Sequence, residues 1–196
     1  MPIHRRRLLL AALPAALLPA TLPSAARAAD APLALAELAR PGRVLMLRHA
    51  LAPGVGDPPA FRLGDCATQR NLGDEGRAQA RRLGEQLRAA GIPSARVWSS
   101  QWCRCLETAR LLDVGAVREL PALNSFFDRP QARERQLAEL RAFLAKLPVE
   151  GGPVILVTHQ VMVSAHTGGW VDSGGGALFA REPGGALRAL GPADLR

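Results

Sequence analysis

Two short apolar runs constrain this chain most. Val44-Leu45-Met46-Leu47 ends in Arg48-His49, and Val154-Ile155-Leu156-Val157 ends in Thr158-His159. Four apolar residues in a row, with no alternation, fit a strand buried on both faces, the usual state of strands in a parallel sheet. In such a sheet the carboxyl ends of the strands share one edge, and ligands bind in the crevice there. The runs therefore predict His49 and His159 as neighbours, although 110 positions separate them.

The remaining pattern alternates strand with helix. Residues 33–38 read as a short helix stopped by Pro41-Gly42, and residues 52–62 as a loop rich in proline and glycine. A helix is expected over residues 74–90, where Gly76, Ala80, Leu83, Leu87 and Ala90 recur at spacings of four and three, with Gly91 and Pro93 behind them. Residues 96–99 form a second strand, followed by a helix from 101 or 102 to about 112. A third strand over 117–120 leads to a loop over 121–130. The next helix carries Leu137, Leu140, Leu144 and Leu147 as its buried stripe and is closed by Pro148. After His159 come a short helix, a glycine turn at Gly174-Gly175-Gly176, and closing strands at 177–181 and 187–189. This order predicts an α/β fold: a three-layer sandwich with a mostly parallel central sheet flanked by helices.

The first residues read as a targeting segment. Arg5-Arg6-Arg7 precede an apolar stretch from Leu8 to about Leu22 and an Ala26-Arg27-Ala28 exit, which makes a secretory signal peptide over residues 1–28. Pro14, Pro19 and the short length argue against a permanent membrane span. The arginines also fit a twin-arginine pattern loosely, with His4 where a Ser or Thr is usual. The mature domain would then run over 29–196, in the periplasm and with no stable membrane anchor after cleavage.

Export changes the charge argument. The formal charge is +8, but four of the arginines lie before residue 29, which leaves the mature domain near +4. Aromatic residues make up 4% of the chain, leaving little to stack on bases, so no nucleic-acid partner is expected. A moderate arginine excess suits a small anion instead. The three cysteines allow one internal disulfide, from Cys66 to Cys103 or to Cys105. Their spacing does not suit zinc, and no metal or other cofactor is expected.

Chemistry gathers at the predicted sheet edge. Arg48 sits beside His49, and Arg104 falls in the first turn of the helix after the second strand. A helix N-terminus there adds partial positive charge and free N–H groups suited to an anion. A neutral imidazole is a nucleophile near neutral pH, and guanidinium groups grip the charged oxygens of a transferring phosphoryl group.

These residues match a known pattern. Leu47-Arg48-His49-Ala50, Ser99-Ser100 with Arg104-Cys105-Leu106-Glu107-Thr108-Ala109, and Val157-Thr158-His159 resemble the histidine phosphatase superfamily, branch 1, also called phosphoglycerate mutase-like. Asn71-Leu72 followed by Gly76-Arg77-Ala78-Gln79-Ala80 resembles that family's first helix. The resemblance spans roughly residues 43 to 181. It implies a phosphatase with His49 as phosphate acceptor, Arg48 and Arg104 as phosphate clamps, and His159 as the second pocket histidine.

The chain also departs from the family. Ala50 and Gln160 stand where glycine usually follows each pocket histidine. The Leu-x-Glu that supplies a proton donor reads Leu123-Asn124-Ser125 here. Asp128 is the first candidate to replace that acid, Glu119 the weaker one, and the alternative is no side-chain acid at all. His166 is expected to be structural, Arg62 and Arg70 to be solvated surface residues, Glu107 to pair with helix charges, and Trp98 and Trp102 to pack. The expected function is an exported phosphatase that hydrolyses phosphate monoesters, either a phosphorylated small molecule or an envelope phosphate. The alternatives are a phosphomutase and a phosphate-binding protein that has lost turnover.

Overall fold

The computed structural model describes residues 31–195, so the expected signal peptide at residues 1–28 lies outside the described residues. The two apolar runs form β1 (Arg43–Arg48) and β4 (Val154–Thr158), which pair in parallel. Val44 lies opposite Val154, and the register holds to Arg48 opposite Thr158. One further step sets His49 beside His159, and the His49 N–H donates to the Thr158 carbonyl at 2.9 Å.

The other side of β4 pairs in parallel with β2 (Arg96–Ser99), and β2 with β3 (Val117–Glu119). The closing strands β5 (Gly176–Arg181) and β6 (Leu187–Pro192) are antiparallel additions on the far side of β1. The order is β3-β2-β4-β1-β5-β6, a mostly parallel mixed sheet.

Both faces of this sheet are covered, which is why the runs do not alternate. Leu45 and Leu47 pack with Val97, Ile155 and Val157 under α1 (Asp74–Ala89) and α2 (Cys103–Leu111). Val44 and Met46 pack with Trp98, Leu156 and Phe179 under α3 (Arg133–Lys146) and α4 (Gln160–Thr167). Each such side chain, fully buried, contributes about 1.5–3 kcal/mol.

Two close approaches bring the helices to the sheet edge. A Cβ on Gly76 would lie 1.9 Å from the Leu51 carbonyl oxygen, so α1 touches the chain just past His49 only because residue 76 is glycine. One turn further on, Gln79 Oε1 accepts from the Leu51 N–H at 2.9 Å. The glycine turn closes the other side: Gly174, at φ +75°, donates its N–H to the His49 carbonyl, and Gly175 accepts from the Arg48 N–H.

The stripe of α3 differs from the expectation. Leu140 and Leu144 are buried, but Gln136 takes the third buried place while Leu137 and Leu147 are only partly covered. Gln136 tolerates burial because its amide donates to the Asn124 carbonyl at 2.9 Å, tying α3 to the loop after β3. The cysteine pairing left open by the sequence is Cys66–Cys103, with Cys105 free and buried. Among the described residues no helix is long and apolar enough to cross a membrane.

Candidate active site

His49 is buried at the end of β1, and its orientation follows from one hydrogen bond. Its Nδ1 lies 2.7 Å from the Ala50 carbonyl, which can only accept, so Nδ1 carries the proton and the lone pair sits on Nε2. Arg104 Nε donates to that Nε2 at 3.2 Å. Burial, together with the charges of Arg104, Arg70 and Arg48, pushes the imidazole down to about 3, against the Ala50 hydrogen bond. The ring is therefore neutral near pH 7, with its nucleophilic nitrogen aimed where the guanidinium groups converge.

His159 faces it across the sheet edge, ring centroids 5.6 Å apart. Its Nε2 meets Ser100 Oγ at 2.8 Å, and Ser100 Oγ donates onward to Asn124 Oδ1 at 3.2 Å. Ser100 thus accepts from the imidazole N–H, and His159 turns the Nδ1 lone pair toward Arg104 Nη2, 3.5 Å away. Burial and the nearby cations hold this ring neutral as well. Trp102 packs edge-on against it, and the Cys105 thiol, pushed up to about 12 by burial, fills the space behind it and is no thiolate.

The expected free helix N–H groups are not all free. Gln69 Oε1 accepts from the Cys103 N–H at 2.9 Å, and Ser100 Oγ accepts from the Trp102 N–H. The positive charge that faces the cavity therefore comes from side chains. Arg104, buried in the first turn of α2, is the centre of them.

Sequence reasoning missed the partner that orients Arg104. Asp57, in the loop after β1, meets it in a two-pronged pair, Oδ1 to Nη1 at 2.8 Å and Oδ2 to Nη2 at 3.1 Å. The same carboxylate accepts from the Arg70 N–H and from the Trp102 ring N–H. Burial would raise its pKa, but the hydrogen bonds and charge of Arg104 win and hold the carboxyl below its ordinary range. Asp57 thus occupies the outer edge of the guanidinium, and the Nε edge is left facing the two histidines.

Arg48 and Arg70 complete the basic lining. Arg48 Nη1 donates to the Val171 carbonyl, while its buried Nε has no protein partner. Arg70 corrects the expectation of a solvated surface residue: it is half-buried, holds the Gly56 and Ala52 carbonyls, and lines the cavity. It is drawn in because those carbonyls belong to the loop that brings Asp57 to Arg104. Arg62 is exposed and pairs with Asp65, as expected of a surface residue.

These side chains line a cavity of about 280 Å³ that also includes Ser125 and Asp128. Glu119 does not reach it; its carboxylate accepts from Gln101 at the outer end of β3 and borders a separate cleft. His166 bonds the Met162 carbonyl and packs on Phe179, Glu107 pairs with Arg77 on α1, and Trp98 packs against Phe143. Among the described residues no group of three or more His, Cys, Asp or Glu is set to hold a metal ion.

The fold and the site define an α/β protein with a cavity lined by arginines and two neutral histidines at the edge of a mostly parallel, mixed sheet. The sequence model of the histidine phosphatase superfamily, branch 1, matches residues 44–126 of the chain. Among solved structures, one titled mycobacterial hydrolase 1 is 18% identical with a TM-score of 0.56, covering 79% of this chain and 99% of that one. The protein histidine phosphatase SixA complexed with tungstate is also 18% identical, TM-score 0.55, covering 78% and 97%. A mycobacterial glucosyl-3-phosphoglycerate phosphatase with VO3 is 18% identical, TM-score 0.53, covering 75% and 95%. At these identities the likeness is one of fold. No curated protein matches the chain in sequence.

Proposed function

We propose that this protein hydrolyses phosphate monoesters through a phosphohistidine on His49. One observation carries the reading: the Nε2 lone pair of a neutral, buried His49, fixed by the Ala50 carbonyl, faces the Nε edge of Arg104 and the ring of His159. In the first step Nε2 attacks phosphorus, the P–O bond to the leaving group breaks, and that oxygen takes a proton. In the second, water attacks the phosphohistidine and releases phosphate and free His49. Arg48 and Arg104 bind the phosphoryl oxygens in both steps, and His159 contacts them from the opposite side.

Asp128 is the proposed proton donor. It lines the cavity, whereas Asp57 is committed to Arg104 as a carboxylate and Glu119 lies elsewhere. Asp128→Asn is expected to lower kcat on an alkyl phosphate about a hundredfold and to leave p-nitrophenyl phosphate within a few-fold, because a nitrophenolate leaves without a proton. Equal loss on both esters would remove Asp128 from the role.

A second reading, a phosphate-binding protein without turnover, is favoured by Ser125 in the place of the family's usual glutamate. Steady release of p-nitrophenol by the purified domain argues against it, since that substrate hardly needs an acid.

Export is part of the proposal, supported by the basic-apolar-Ala sequence of residues 1–28 and by the Cys66–Cys103 bridge, a bond that persists in oxidising compartments. The protein recovered from a periplasmic extract should begin at Ala29. Full-length chain found only in the cytoplasm would overturn that assignment.

A further inference from the structure

We propose that the cavity mouth selects an apolar, uncharged leaving group, so that the substrates are aryl or alkyl phosphate monoesters rather than esters of acidic alcohols. This deepens the phosphatase reading and rests on it for the turnover of those esters.

The argument begins with what is exposed. The described residues include five large hydrophobic side chains with high exposure, and three of them surround this one cavity: Val55 at 89%, Trp170 at 73% and Phe127 at 58%. Scattered apolar residues on a surface mean little, whereas a cluster around a polar pocket marks a binding rim. The three come from separate segments: the loop after β1, the loop after β3 and the segment after α4. No single hydrophobic stretch of sequence accounts for their meeting.

Charge separates the floor from the rim. The buried floor holds His49, His159 and Arg104, and the cations lining the cavity are Arg48, Arg70 and Arg104. All three guanidinium groups are gathered around the phosphoryl position, and one of them is already paired to Asp57. A carboxylate or second phosphate on the leaving group would find no further cation in the lining and would meet Asp128 instead. Such a group would lose its hydration without replacement.

Trp170 joins rim to floor. The Arg48 guanidinium lies over its ring, 5.4 Å from the centroid, so the exposed indole stands beside that arginine. Phe127 lines the same cavity, so a group extending from a phosphoryl group on His49 would share it with both rings. At about 280 Å³ the cavity sits near the lower end of small-molecule pockets, about 300–1,000 Å³, which suits one phosphoryl group and one compact apolar group.

The test uses binding as well as turnover. Calorimetry with phenylphosphonate and methylphosphonate, which cannot be hydrolysed at the P–C bond, should show the phenyl compound binding about tenfold more tightly, the order expected from covering one ring. The double variant Phe127→Ser with Trp170→Ser should bring that ratio near one. In turnover, phenyl and n-hexyl phosphate should exceed 3-phosphoglycerate in kcat/KM, the difference lying mainly in KM. The phenyl and hexyl arms separate a preference for flat rings from one for any apolar chain, and either supports the proposal. Equal phosphonate affinities, or a ratio unchanged in the double variant, would overturn it. Phosphonate preference without hydrolysis of any ester would sink the phosphatase reading and leave the rim assignment standing.

Discussion

His49→Ala is expected to release no phosphate above background from p-nitrophenyl phosphate, a loss of more than about a thousandfold in kcat, because the atom proposed to make the first new bond to phosphorus is gone. The same variant fails to acquire an acid-labile, base-stable phosphoryl label when quenched during turnover. Retention of that label, or activity within tenfold of the wild type, would show that the phosphoryl group passes elsewhere.

The variant also changes the response to acid, and the sign follows from burial. An unfolded histidine titrates near about 6.5, whereas folding drives His49 down to about 3. Its contribution to stability is therefore complete above the unfolded value and is lost as pH falls toward the folded one, because the unfolded chain takes up the proton first. His159 is shifted the same way. For His49 the cost is up to about 1.4 kcal/mol per pH unit across that window. The unfolding midpoint of the wild type should fall steeply below about pH 6.5, and less steeply in His49→Ala, with one such group removed. Over most of this range free His49 stays unprotonated, so with His49 in the proposed role an acid limb in kcat/KM would report the substrate's phosphate or the proton donor.

The pair of histidines was legible because it depends on register alone. Two apolar runs without alternation have one home, a sheet covered on both faces, and in a parallel pair the residues that follow each run share an edge. Arg104 was legible for a similar reason, being placed by the helix that starts just after β2. What the sequence hid lies in segments with no period. Asp57 sits in a proline- and glycine-rich loop, 47 positions before Arg104, and nothing local says that this loop folds back. The cysteines carried the available signal: a bridge from Cys66 to Cys103 ties the segment after β1 to the start of the helix that carries Arg104. Arg70 was misjudged with it, since its burial depends on the Ala52 and Gly56 carbonyls of the same loop. Gln136 was hidden differently, because a glutamine in the buried stripe is tolerated only when a carbonyl such as that of Asn124 happens to face it.

Asp57 is expected to matter for rate more than for phosphate affinity, and the two should move in opposite directions. Its carboxylate takes the Nη edge of Arg104 and thereby turns the Nε edge to His49. In Asp57→Asn the amide offers one acceptor where the carboxylate gave two, and its NH2 group faces donors. Arg104 then loses its fixed orientation, and a displacement of the clamp by about 1 Å lowers kcat on p-nitrophenyl phosphate about a hundredfold. The same change removes a negative charge next to the phosphoryl site. Inorganic phosphate, as a competitive inhibitor, should therefore bind about tenfold more tightly. Asp57→Ala should add a loss of stability of about 3 kcal/mol, because the Arg104 charge, the Trp102 ring N–H and the Arg70 N–H are left without their acceptor. Asp57→Asn keeps the volume and serves as the folded control. A carboxylate that only stapled the loop would lower stability and leave the inhibition constant for phosphate unchanged. One that orients Arg104 trades affinity for rate, and in doing so helps the product phosphate leave a pocket that already holds three arginines.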